Sequence, residues 1–203
     1  MSDTIGALLK QASLDEDNSS VSSARREFKD SEEAESFFSR VKRGLLAIPL
    51  WNENATLSKF ELFDDGGRPN SNGTLYEGAF LRISLTGSGK DDWVRVEKIF
   101  DTEQEVVITV RPTYDPTADN PDPKTTSHFF TAESTNNFCA NIMGKTVNAY
   151  VIGLNEKQNT AETDSMLEAA RNVAAANIGS YLGIQKGEWT TFCENFLFPD
   201  RRS

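Results

Sequence analysis

The stretch Phe138-Cys-Ala-Asn-Ile-Met-Gly-Lys-Thr-Val-Asn-Ala-Tyr-Val151 decides the fold. Phe138, Ala140 and Ile142 alternate with Cys139 and Asn141. Val147, Ala149 and Val151 repeat the pattern beyond Gly144-Lys145. A period of two belongs to a strand with one buried face. A two-residue link with glycine first suits a tight β-turn, so the segment reads as an antiparallel hairpin.

Working upstream, the same period recurs. Thr126 to Thr131 reads as a strand, behind an irregular loop at 112–124 that holds four of the seven prolines. Trp93 to Phe100 and Glu105 to Arg111 read as two strands joined by Asp101-Thr102-Glu103-Gln104. Ala79, Leu81, Ile83 and Leu85 mark another before the turn Thr86-Gly-Ser-Gly89, and Phe60 and Leu62 one more before the loop opened by Asp64-Asp65-Gly66-Gly67. Before Pro49 the period changes. Phe37, Phe38, Val41 and Leu45 recur at spacings of three and four, behind the capping pair Asp30 and Glu33, and Pro49 is expected to stop that helix.

Downstream, Asn155-Glu156-Lys157-Gln158-Asn159 reads as a connecting loop. Asn159 and Glu162 form a second capping pair, and Leu167, Ala170, Ala174, Ile178 and Tyr181 a helical stripe expected to end at Gly183. A last helix then presents Trp189, Phe192, Cys193, Phe196 and Leu197 on one face. The expected class is α+β: an antiparallel sheet of six or seven strands, preceded by one helix and covered by two C-terminal helices segregated to one face. A curved sheet gripping the C-terminal helix is one arrangement that suits this order.

The first residues read differently. Ile5, Leu8 and Leu9 suit a short amphipathic helix, but residues 13–24 are small and polar. We therefore expect residues 1–24 to be a flexible arm and linker ahead of a single α+β domain at 25–203. The formal net charge is −10, and residues 1–37 hold nine acids against four bases, half of that total. The rest of the domain is only mildly acidic, but the balance still argues against a nucleic-acid groove, which needs a basic face. No apolar run spans a bilayer and the N-terminus lacks the pattern of a signal peptide, so no membrane contact and a cytoplasmic location are expected.

Residues able to carry chemistry are few. His128 is the single histidine, and the two cysteines, Cys139 and Cys193, lie far apart in sequence. A nucleophile–histidine arrangement would have to use His128, which we read as a structural residue on its strand. Three His and Cys residues are too few for a zinc centre, and the acidic loops at Asp64-Asp65 and Asp115–Asp122 lack calcium-loop spacing, so neither metal nor cofactor is expected. Gly144-Lys145-Thr146 lacks the rest of a phosphate loop.

Two constellations stand out as binding candidates. If Val94 and Val96 face the helices, Trp93, Arg95 and Glu97 share the other face of their strand. The aromatic stripe Trp189, Phe192 and Phe196 lies near the chain end. Together with His128 these are the candidate site residues. The leading expectation is a non-catalytic binding or assembly module, with a protein partner or self-association. The alternatives are a binder of a small apolar ligand, held between a curved sheet and the C-terminal helix, and an enzyme using carboxylates or His128.

Overall fold

A computed structural model of the chain describes residues 3–86, 91–159 and 178–201. The strands are β1 (Ser20–Glu27), β2 (Ser58–Phe63), β3 (Phe80–Leu85), β4 (Asp91–Asp101), β5 (Glu105–Pro112), β6 (Thr135–Met143) and β7 (Thr146–Leu154). The helices are α1 (Thr4–Leu14), α2 (Ser31–Leu45), α3 (Ile48–Asn54) and α4 (Ile178–Leu197). The seven strands form one antiparallel sheet in the order β1-β7-β6-β5-β4-β3-β2, and the class is α+β.

The β6–β7 hairpin pairs in the expected register, Phe138 opposite Val151 and Ile142 opposite Val147. Gly144 turns it at a φ of 59°, a left-handed conformation that glycine adopts without steric cost. Asp30 caps α2 by accepting a hydrogen bond from the Glu33 amide at 2.9 Å. Phe37, Phe38, Val41 and Leu45 then face the sheet in the main core.

The sheet is strongly curled. Laid flat, its edge strands would stand about 29 Å apart, six strand spacings of about 4.8 Å. Yet both reach the same turn of α4. Ser22 of β1 donates its hydroxyl to the Lys186 carbonyl at 3.2 Å, and Glu188 binds the chain entering β2. A β-bulge between Val96 and Lys98 contributes, because the extra residue bends the strand. It also switches the inward parity of β4 from Val94 and Val96 to Ile99.

Several expectations are corrected. Residues 20–27, the second part of which opens the expected domain and the first part of which was expected as linker, form β1, paired along its length with β7. Its composition hides it. The outward positions are solvated, and the inward ones, Ser22 and Ala24, must be small beneath α4. The helices are not confined to one face. α1 lies on the outer face over Val107, Cys139 and Ile152, its first turn held where the Glu105 carboxylate accepts from the Thr4 and Ile5 amides at 3.1 and 3.3 Å. Pro49 does not end α2, which stops at Leu45; it lies in the first turn of α3, where a missing N–H costs nothing. Gly183 ends no helix, since α4 runs through it to Leu197. Thr126 to Thr131 is an irregular crossing with a single bridge, Phe130 to Gln158. The stripe from Leu167 to Ala174, the cap residue Glu162 and the turn residues 87–89 lie outside the described residues.

Candidate functional site

The expected site residues fall into three separate places. On α4, Trp189, Phe192 and Phe196 are buried against the inner face of the sheet. Trp51 packs on Phe138 with ring centroids 4.3 Å apart, Trp189 on Phe138 at 5.4 Å and Phe192 on Trp51 at 5.5 Å. These rings occupy the space between the sheet and the last turns of α4, so the stripe is core.

Trp93, Arg95 and Glu97 do share the outer face of β4, while Val94 and Val96 face inward as expected. They form no open platform. Trp93 is buried edge-on against Phe63 at 4.9 Å, beneath the Pro-rich loop whose Ser127 carbonyl accepts from the Trp93 amide. Arg95 is exposed, lies over the Phe80 ring and donates to the Gly78 carbonyl at 3.2 Å. Glu97 pairs with Arg111, two contacts of 3.0 Å. This is a cross-strand ladder on a half-covered face.

His128 is buried in the 113–131 crossing. Its Nδ1 accepts from the Phe130 amide at 2.9 Å, and its ring stacks on Phe130. Burial holds its acid constant below the ordinary histidine range, against the pull of the Asp92 carboxylate. The free thiols Cys139 and Cys193 sit on opposite faces of the sheet. Burial pushes Cys139 well up and Cys193 to about 12, so neither supplies a thiolate near neutrality. Among the described residues, no group of three or more His, Cys, Asp or Glu side chains is placed to hold a metal ion, and no helix is long and apolar enough to cross a membrane.

A different set of residues converges. Where β1 begins and α4 crosses it, a groove of about 510 Å³ opens between Leu9 and Ala12 of α1, Ser20 and Val21 of β1, and Lys186 and Trp189 of α4. Glu156, just past β7, turns its carboxyl back into this groove. The place a Cβ would take on Gly153 is filled by that carboxyl, and the Ser20 hydroxyl lies 2.7 Å from the same point. Glycine at 153 therefore makes the seat for the acid. Burial pushes the Glu156 carboxyl up, opposed by its hydrogen bond with Ser20.

Asn136 stands directly across from Gly153 in the register. It shares the inward face with Phe138 and Ala140, and it is buried with its Oδ1 unpartnered among the described residues. Opposed residues on a shared sheet face have Cβ positions about 5 Å apart, so the amide lies behind the Glu156 seat, buried and outside the groove's lining. Sequence reading missed this set. The available signal was Asn136 itself, a polar residue at an inward position of an otherwise apolar alternation.

The sequence matches no family model and no curated protein. The fold is similar to that of a hypothetical protein from Helicobacter pylori, at 10% identity over 90% of this chain and 88% of that one, with a TM-score of 0.52. That likeness shows the fold alone. A protein from Nitrosospira multiformis (13% identity, 90% and 100% covered, TM-score 0.39) and major latex-like protein 151 from Panax ginseng (12%, 78% and 97%, TM-score 0.34) overlap more loosely.

Proposed function

We propose that the protein is a non-catalytic binding module, and that its ligand is a small molecule held between the curled sheet and α4. The observation that carries this reading is the groove at the start of β1, into which a half-buried glutamate is folded back over a glycine. Building such a seat has a cost, since desolvating a carboxyl opposes folding. The catalytic alternative lacks comparable support. His128 spends Nδ1 on the backbone, and both thiols are held protonated in the core.

The test is a screen of chemically diverse fragments by thermal shift and tryptophan emission. Trp189 is a core residue that also borders the groove, whereas Trp51 and Trp93 do not line it. Fragments that bind should raise the Tm and perturb emission in the native chain. In Trp189→Phe, which keeps an aromatic ring in the core, the emission change should vanish while the Tm shift persists. A screen at millimolar concentration with no Tm shift would overturn the reading.

A further inference from the structure

The two edges of the sheet are finished differently. At β2 the Thr86 amide donates to the Leu57 carbonyl, so the odd residues bond to β3 and the even ones point outward. Each outward residue has a partner. The Ser58 amide donates to Glu188 at 3.0 Å, and the Leu62 carbonyl accepts from the Asn70 amide at 2.8 Å. The Asn52 side chain accepts from the Phe60 amide at 2.7 Å and donates to the Phe60 carbonyl at 2.9 Å, the two bonds that a further strand would make.

β1 carries no such seal. The Phe28 amide donates to the Lys145 carbonyl at 2.9 Å, which sets the phase of the pairing. The even residues from Ser20 to Phe28 bond to β7, and Val21, Ser23, Arg25 and Glu27 turn their backbone groups outward. Among the described residues nothing bonds those amides and carbonyls, and the four residues are exposed. α4 reaches β1 from beneath, through the inward side chains of Ser22 and Arg26, which donate to the Lys186 and Leu197 carbonyls. An open edge is a template for another strand, and folded proteins ordinarily close it.

We propose that β1 is a self-association edge, which pairs antiparallel with β1 of a second copy about a two-fold axis at Ala24. This goes beyond the small-molecule reading and does not depend on it. With the axis there, Val21 stands opposite the partner's Glu27 and Ser23 opposite the partner's Arg25. Each such pair exchanges two backbone bonds, so every open amide and carbonyl of both strands is used. The patch is self-complementary, as an isologous dimer requires. Small residues, Ser22 and Ala24, fall at the closely spaced positions between the bonded pairs. Other registers are worse. An axis at Arg25 or Arg26 sets two arginines directly against each other, and an axis at Ser23 leaves Glu27 without a partner inside the strand.

Analytical ultracentrifugation of the full chain from about 10 μM to about 1 mM tests it, the range that suits a small polar interface. The native chain should pass from monomer toward dimer. Ser23→Pro removes an outward amide that β7 does not use, and an edge strand tolerates proline. Its Tm should hold while dimerisation weakens at least ~10-fold. Cysteine crosslinking in a glutathione buffer reads the register, the native thiols being buried. Ala24→Cys puts two thiols across the axis with Cα atoms about 4.5 Å apart, within disulfide reach, and should crosslink. Ser23 is the more exposed position, but it is offset from its own copy by two residues, so Ser23→Cys should not crosslink.

A chain that stays monomeric to about 1 mM overturns the proposal, whatever else might take the edge. So does a dimer that a folded Ser23→Pro leaves intact. Crosslinking as strong through Ser23→Cys as through Ala24→Cys also overturns it. If Ser23→Pro lowers the Tm, the two cysteine variants decide.

Discussion

The two halves of the space beneath α4 are built on opposite principles. Toward its C-terminal end, Trp51, Phe60, Phe138 and Phe192 fill the curve of the sheet ring against ring. Toward the groove, the same inward rows of β6 and β7 continue, but they end in Asn136 and Gly153 instead of apolar residues. One end is packed like an ordinary interior, and the other gives up packing for hydrogen-bonding groups. The contrast separates residues that hold the fold from residues whose presence the fold does not require.

The largest expected effect is at the filled end. Phe138→Ala removes the ring that Trp51, Trp189 and Phe192 all pack on, at 4.3, 5.4 and 5.7 Å. A loss of about 3–5 kcal/mol in urea unfolding is expected, because the surrounding rings cannot collapse fully into the cavity. A loss below about 1 kcal/mol would mean that this end is as loosely built as the other, and the comparison would break.

A smaller effect is expected where the two edges of the sheet meet α4. The buried Glu188 carboxylate accepts from the Thr56, Leu57 and Ser58 amides at 3.0 Å each and from the Thr56 hydroxyl. This clasp closes the curl and stands beside the groove without lining it. Glu188→Ala leaves these donors in a buried place and should cost about 2–4 kcal/mol. Glu188→Gln keeps an acceptor oxygen and should cost roughly half of that. Equal costs for the two variants would show that charge, and not the acceptor geometry, holds the edges together.

How far the sequence reveals all this follows from what each segment leans on. The β6–β7 hairpin, the Asp30 cap and the α4 stripe are written locally, in turn chemistry, capping and periodicity. β1 is not. Ser20 to Glu27 has almost no apolar content of its own, because its burial is supplied by β7 on one side and α4 beneath. The bulge at Glu97 and the irregular path of Thr126 to Thr131 depend on partners distant in sequence. The candidate site is hidden for the same reason. Ser20, Asn136, Gly153 and Glu156 spread over 137 positions of the chain, and curling alone brings them together. Glu156 in particular sits in a polar run that reads as a plain connection, and nothing in its neighbours announces that its side chain turns inward.

The smallest effects are those of pH, and they set the groove apart from the outer crossing by sign. His128 is buried with its acid constant below the ordinary value of 6.5. The folded chain therefore disfavours its protonation more than the unfolded chain does. Its contribution is present above pH 6.5 and is lost as the pH falls below that value toward the folded one. Glu156 is the reverse case. Its folded value lies above 4.5, so the fold favours the neutral carboxyl, and the contribution present below pH 4.5 is lost as the pH rises through the folded value. Urea unfolding between pH 4 and 8 of the native chain, His128→Gln and Glu156→Gln isolates each group by difference. The native chain should weaken relative to His128→Gln on acidification, and relative to Glu156→Gln as the pH rises from 4.5. If the Glu156 difference ran the other way, the carboxylate would already have a counter-charge in the folded protein, and the groove would be closed by its own residues.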